Sequence, residues 1–131
     1  MPGDLIDVLL RVPLFADLDP SELQLLADSM RDRTFPAGDM VTAEGTSADG
    51  FFVIESGEAE VTVQGESRRT MRTGDYFGEI ALLRGSERTA TVAAASDLHC
   101  YQLSPIDFRT IVEGNPIIAW KVMQSMAERL A

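Results

Sequence analysis

One cysteine, one histidine and one tryptophan occur in 131 residues, and a single lysine, Lys121, stands among eleven basic residues. Each shortage excludes something. With Cys100 alone, no intramolecular disulfide can form, and the chain suits a reducing compartment. With His99 alone, a metal site built on several imidazoles is out of reach. No apolar run approaches the ~20 residues a membrane-spanning helix needs. Met1 to Asp7 lack the basic start and long apolar core of a secretory signal. Acidic residues outnumber basic ones 21 to 11, a net charge of −10, and no basic stripe interrupts them. Such a surface repels DNA, RNA and anionic lipid, whose phosphates call for clustered cations. A cytosolic protein, or one on the cytosolic face of something larger, is expected, with no direct nucleic-acid binding and no membrane insertion.

What remains is ordinary for a globular domain, 45 % hydrophobic and 24 % charged, and long enough to bury one core. Without repeats or low-complexity tracts, residues 1–131 are expected to form a single domain. Leu5, Val8, Leu9 and Val12 recur at helical spacing until Pro13 stops them. Asp19-Pro20-Ser21-Glu22 has an N-cap acid, a proline at the first helical position and a capping-box glutamate. Leu23, Leu26, Ala27 and Met30 give that second helix an apolar face, so helices are expected over 4–31. From Arg33 to Leu103 short Val-, Thr-, Phe- and Ala-rich runs alternate with glycines. Ala59, Val61 and Val63 alternate with Glu58, Glu60 and Thr62, a half-buried strand. About eight such strands indicate an antiparallel β-barrel or jelly roll over 33–103, an α+β and mainly β fold. Ser104-Pro105 and Asn115-Pro116 open two closing helices over 105–131, the last with Ala119, Val122, Met123, Met126, Ala127 and Leu130 on one face.

One stretch breaks the strand pattern: Phe77-Gly78-Glu79-Ile80-Ala81-Leu82-Leu83-Arg84-Gly85-Ser86-Glu87-Arg88-Thr89-Ala90-Thr91-Val92. Glu79 to Arg84 suits a short helical turn inside a β domain, whose first N–H groups and positive dipole end favour an anion. Gly78 lets a ligand approach the backbone, and Arg88 brings a planar fork suited to phosphate oxygens. Ala81, Thr89 and Ala90 leave room and free N–H donors. Glu79, a carboxylate beside an anion site, fits there if it accepts from hydroxyls, as a ribose would supply. Phosphate plus ribose describes a nucleotide.

These residues resemble the phosphate-binding cassette of the cyclic-nucleotide-binding domain family, whose members include protein kinase A regulatory subunits, the catabolite activator protein and cyclic-nucleotide-gated channels. Gly38-Asp39, Glu44-Gly45, Asp49, Phe51 to Ile54 and Gly57 are similar to that family's glycine framework. The resemblance implies that Arg88 grips a cyclic phosphate and Glu79 the ribose 2′-hydroxyl, with Gly78, Ile80, Ala81, Thr89 and Ala90 completing the cradle. Asp49 falls where members keep an acid that orients the arginine, and Leu82 matches their hydrophobic latch. Val61 and Arg129 are the candidates for base contacts. The ligand implied is cAMP, with cGMP left open by Thr89. No cofactor, metal or catalytic residue is implied. Members extend the final helix to cap the base or to dimerise, which makes homodimer contact through the C-terminal helix an option here. The output lies in an effector outside these residues.

Each residue also has a plainer role. Glu79 would cap the short helix, Asp49 would be a turn residue, Arg84 a solvated side chain, and Arg129 an exposed charge balancing the helix dipole. Trp120 is expected to pack, against the barrel if anything, and Met123 and Met126 to belong to the core. His99 and Cys100 read as core or edge strand residues. A cupin-type metalloenzyme shares the jelly-roll shape but needs several histidines. A whole transcription factor needs a helix-turn-helix with basic residues for DNA, which this sequence does not contain. The expected function is therefore a non-enzymatic regulatory sensor.

Overall fold

The computed structural model describes residues 2–12, 15–16, 18–43, 45, 50–78 and 90–130. Helices α1 (Pro2–Arg11) and α2 (Pro20–Ser29) lead into strands β1 (Met30–Phe35), β2 (Met40–Thr42), β3 (Phe51–Ser56), β4 (Ala59–Val63), β5 (Glu66–Met71), β6 (Tyr76–Phe77), β7 (Thr91–Ala94) and β8 (Leu98–Leu103). Helices α3 (Pro105–Gly114) and α4 (Pro116–Leu130) follow. The capping box forms as the sequence implies. Asp19 accepts from the Glu22 N–H at 2.9 Å, and Glu22 accepts from the Asp19 N–H at 3.1 Å. Helix α2 stops one residue sooner than its apolar spacing suggests, because Met30 is already extended at φ −91° and ψ 149° and begins β1.

The strands form two antiparallel four-stranded sheets, ordered β1-β8-β3-β6 and β2-β7-β4-β5. Among the described residues no ladder joins one sheet to the other, so the jelly-roll expectation holds and the closed barrel does not. The sheets face each other across Phe35, Phe52, Ile54, Ala59, Val61, Met71, Phe77, Val92, Ala94, Leu98 and Cys100. The helices cover the other face of the first sheet, over Phe51, Val53, Tyr101 and Leu103. Strand β3 thus lies between two apolar layers, with Phe51 to Ile54 fully buried. That double burial is why its sequence runs Phe-Phe-Val-Ile without polar alternation. Phe51 ties the helical layer together, stacking on Phe108 of α3 at 5.2 Å and meeting Phe15 edge-on at 6.0 Å.

The faces of α4 correct two expectations. Ile118 and Val122 are buried, but Trp120 is 61 % exposed and Met123 53 %. With Ile117, also half exposed, they follow at i, i+3 and i+6 on the side opposite the buried pair. Helical spacing marks that stripe as apolar but does not supply anything to cover it. The Met126 side chain lies outside the described residues. Cys100 is core and His99 part-exposed, consistent with the core-or-edge reading.

Candidate functional site

The structure describes both ends of the candidate cassette. β6 ends on Phe77, whose ring stacks on Phe52, its cross-strand partner, with centroids 4.9 Å apart and planes 9° from parallel. Gly78 follows at φ 102°, a left-handed conformation open to glycine and strained for other residues. Ala90, on the far side, packs against the inter-sheet cluster, and Thr91 opens β7. Residues 79–89 therefore connect the edge strand of the first sheet to β7, an interior strand of the second between β2 and β4. Val61 pairs with Val92 in register and is only 7 % exposed, so it forms part of the apolar wall between the sheets. Gly57 fixes the nearby turn from β3 to β4. Its φ is 93°, and an added Cβ would collide with the Asp97 carbonyl oxygen.

Of the predicted binding set, Val61 and Ala90 share the inter-sheet cluster with Phe77, and Gly78 stands next to Phe77 in the chain. Glu79, Ile80, Ala81, Leu82, Arg88 and Thr89, together with Asp49, lie outside the described residues. Arg129 is on α4, and its side chain also lies outside them.

The charge pattern narrows what can hold an anion here. Among the described residues the inter-sheet cluster is apolar, and the buried polar residue is Thr42. The part-buried pair Arg33 and Gln102, register partners of Cys100 and Phe52, lies on the same face of the first sheet. Four arginines already have partners. Arg33 donates to Gln102 at 2.5 Å, Arg68 pairs with Glu66 at 3.5 Å, Arg72 with Glu58 at 2.8 Å and Arg109 with Glu113 at 2.9 Å. The hydrogen bond to Glu58 raises Arg72 above its ordinary value. Cys100 offers no nucleophile, since burial pushes its thiol up to about 12. Among the described residues no group of three or more His, Cys, Asp or Glu could hold a metal ion.

Two arrangements had no signal in the sequence. On the outer face of the first sheet both ring nitrogens of His99 meet carboxylates, Nε2 to Asp32 Oδ1 at 2.6 Å and Nδ1 to Glu55 Oε2. At the helical end, Asn115 Nδ2 donates to Glu22 Oε2 at 2.6 Å, while Asn115 Oδ1 accepts from the N–H groups of Ile117 and Ile118 at 3.1 and 3.2 Å. Asn115 thus caps α4 and fastens it to α2 at once.

Two antiparallel sheets joined through residues 79–89 define a jelly-roll domain, and comparison with known proteins gives its family. The family model described as "Cyclic nucleotide-binding domain" matches residues 32–115, and the chain belongs to that family. The cAMP-dependent protein kinase regulatory subunit of Yarrowia lipolytica is 42 % identical over 103 residues, 77 % of this chain and 28 % of the relative. This chain therefore spans little more than a quarter of that relative's length. Among solved structures, cAMP-bound PfPKA-R superposes with a TM-score of 0.83 at 27 % identity, covering 96 % of this chain and 47 % of that one. The Thermus thermophilus catabolite activator protein gives a TM-score of 0.81 at 27 % identity over 90 % of this chain and 58 % of its own. Among the described residues, no helix is long and apolar enough to cross a membrane.

Proposed function

We propose that this chain is a regulatory sensor, itself without catalytic activity, that binds a cyclic nucleotide, cAMP in preference to cGMP, through residues 78–90. One observation carries the reading: the match to the cyclic nucleotide-binding family covers residues 32–115, and these include the segment holding Glu79 and Arg88 that connects the two sheets. Arg33, Arg68, Arg72 and Arg109 already have partners. Of the two arginines in the bridging segment, Arg84 and Arg88, the family resemblance gives the phosphate to Arg88, whose fork matches phosphate oxygens. Glu79 takes the ribose 2′-hydroxyl, Asp49 orients Arg88, and Val61 supports the base. The regulatory role of the relatives and the exposed stripe of Ile117, Trp120 and Met123 support a relay through α4. The stripe offers an apolar surface to cover the base, to meet a second copy or to carry an effector.

Ligand binding should stabilise the fold by mass action. Thermal melts with excess cAMP, cGMP and 5′-AMP test this. The expected order of stabilisation is cAMP, then cGMP, then the open monophosphate. Melting temperatures that move with none of the cyclic nucleotides would refute the proposal.

A further inference from the structure

Helices α2, α3 and the start of α4 line a pocket of about 260 Å³, with Leu18, Leu25, Leu26 and Ile118 on its apolar side and Glu22 and Asn115 at its polar end. Leu18, Leu26 and Ile118 make a buried apolar floor, and Leu25, 64 % exposed, stands as an apolar rim. The polar end of the pocket is negative. Glu22 is the charged residue of the lining, and its oxygens accept from the Asp19 N–H and from Asn115 Nδ2. A carboxylate carries about four acceptor sites, so these two bonds leave capacity for another donor. The C-terminal end of α3 reaches the same wall at Ile111 and Gly114, and the N-terminal end of α4 at Asn115 and Ile118. The two helix dipoles therefore offset each other, and Glu22 sets the charge. No basic side chain occupies the last turn of α3. Arg109, one turn earlier, is paired with Glu113 and exposed, and neither belongs to the lining.

We infer that this pocket is a second ligand site, for a small amphipathic amine with an apolar body and an ammonium head. The body fills the leucine and isoleucine floor. The head donates to Glu22, where a cation has complementary charge and a neutral or acidic group does not. A volume of about 260 Å³ accommodates an aryl-ethyl skeleton. The site shares no residue with the cassette and stands whether or not the chain binds a cyclic nucleotide.

The test uses 2-phenylethylamine, with 2-phenylethanol and 3-phenylpropionate as neutral and acidic counterparts, titrated into 15N-labelled protein. The amine should perturb the amides of Glu22, Thr110, Gly114 and Asn115, with a dissociation constant on the order of 1 mM for so small a molecule. The alcohol and the acid should bind at least several-fold more weakly. Glu22→Gln retains a capping-box residue but removes the charge and one acceptor, and should weaken the amine roughly tenfold to hundredfold. The pair Glu22→Gln with Asn115→Asp moves the charge across the same wall and restores a donor–acceptor match. It should regain amine affinity to within about threefold of the parent. Equal binding of amine and alcohol, undiminished amine binding by Glu22→Gln, or a folded double variant blind to the amine would each overturn the inference. Cyclic-nucleotide melts on the same samples report the cassette separately.

Discussion

Asn115 Nδ2 lies 2.6 Å from Glu22 Oε2, joining the cap of α4 to the capping box of α2 across 93 residues of sequence. The bond fixes the junction between α3 and α4 against the N-terminal helices. Any movement of α4 must carry α2 with it or give up that hydrogen bond.

The strength of this tie is measurable by a double-mutant cycle. Asn115→Asp keeps the acceptor that caps α4 but sets a second carboxylate against Glu22, so it should destabilise the fold by ~1–3 kcal/mol. Adding Glu22→Gln supplies a donor again and should recover most of the loss. Urea denaturation of the four proteins gives the coupling energy. Simple additivity of the two single effects would show that the bond contributes nothing.

Asp19 makes a prediction about acid. The Glu22 N–H, followed by the Ser21 hydroxyl, lowers its carboxyl below the ordinary value. A group lowered in the folded state contributes stability above its unfolded pKa, and that contribution fades as pH falls through the folded pKa. Asp19→Asn keeps a capping oxygen that does not titrate. The advantage of the parent over Asp19→Asn should therefore be largest near neutrality and shrink below about pH 4. Denaturation midpoints at several pH values check it, and a difference that grows in acid would contradict the cap's role.

Local chemistry made much of the fold legible. The α2 capping box joins two residues only three apart, and Leu5, Val8, Leu9 and Val12 are buried as their spacing requires. The stretch Phe77 to Val92 reads as a break in the strand pattern, and the flanking strands end at Phe77 and begin at Thr91. What failed depends on distant partners. Whether eight strands close into one barrel or two sheets is decided by ladders such as β1 with β8, nearly seventy residues apart at Arg33 and Cys100. Trp120 and Met123 showed the same limit, because an apolar stripe does not announce whether anything covers it. The Glu22–Asn115 contact and the pocket beside it arise only when three helices meet.

Phosphate recognition should dominate cyclic-nucleotide affinity. If Arg88 holds the phosphate as proposed, Arg88→Ala removes the charge-assisted fork that compensates it. A loss of ~2–5 kcal/mol follows, roughly thirtyfold to several-thousandfold in dissociation constant. Glu79→Ala should cost less, and 2′-deoxy-cAMP should already lack most of what that substitution removes. Calorimetric titration distinguishes the two residues. If Arg88→Ala held cAMP as tightly as the parent, the phosphate would have to bind elsewhere.

The relay proposed for α4 makes the last prediction. The two sheets share an apolar interior, and the apolar attachment of α4 includes Ile118 and Val122, with the Asn115 tie at its start. Ligand at residues 78–90 would reorganise the segment carrying Leu82, and a helix in contact with Leu82 then has two discrete packings to choose between. Only a difference in ligand affinity between those packings can drive the change, typically ~1–3 kcal/mol of coupling. Hydrogen exchange with and without cAMP should show added protection at residues 78–90 and at Ile117–Leu130, with little change in β4, Ala59–Val63. Leu82→Ala should bind cAMP nearly as well as the parent while blunting the response of α4, because it truncates the proposed latch and keeps Glu79 and Arg88. Asn115→Asp, which frees α4 from α2, should lower the protection of Ile117–Leu130 even without ligand. Protection that rose at residues 78–90 alone, with α4 unchanged in the parent, would make this chain a binder without a built-in switch.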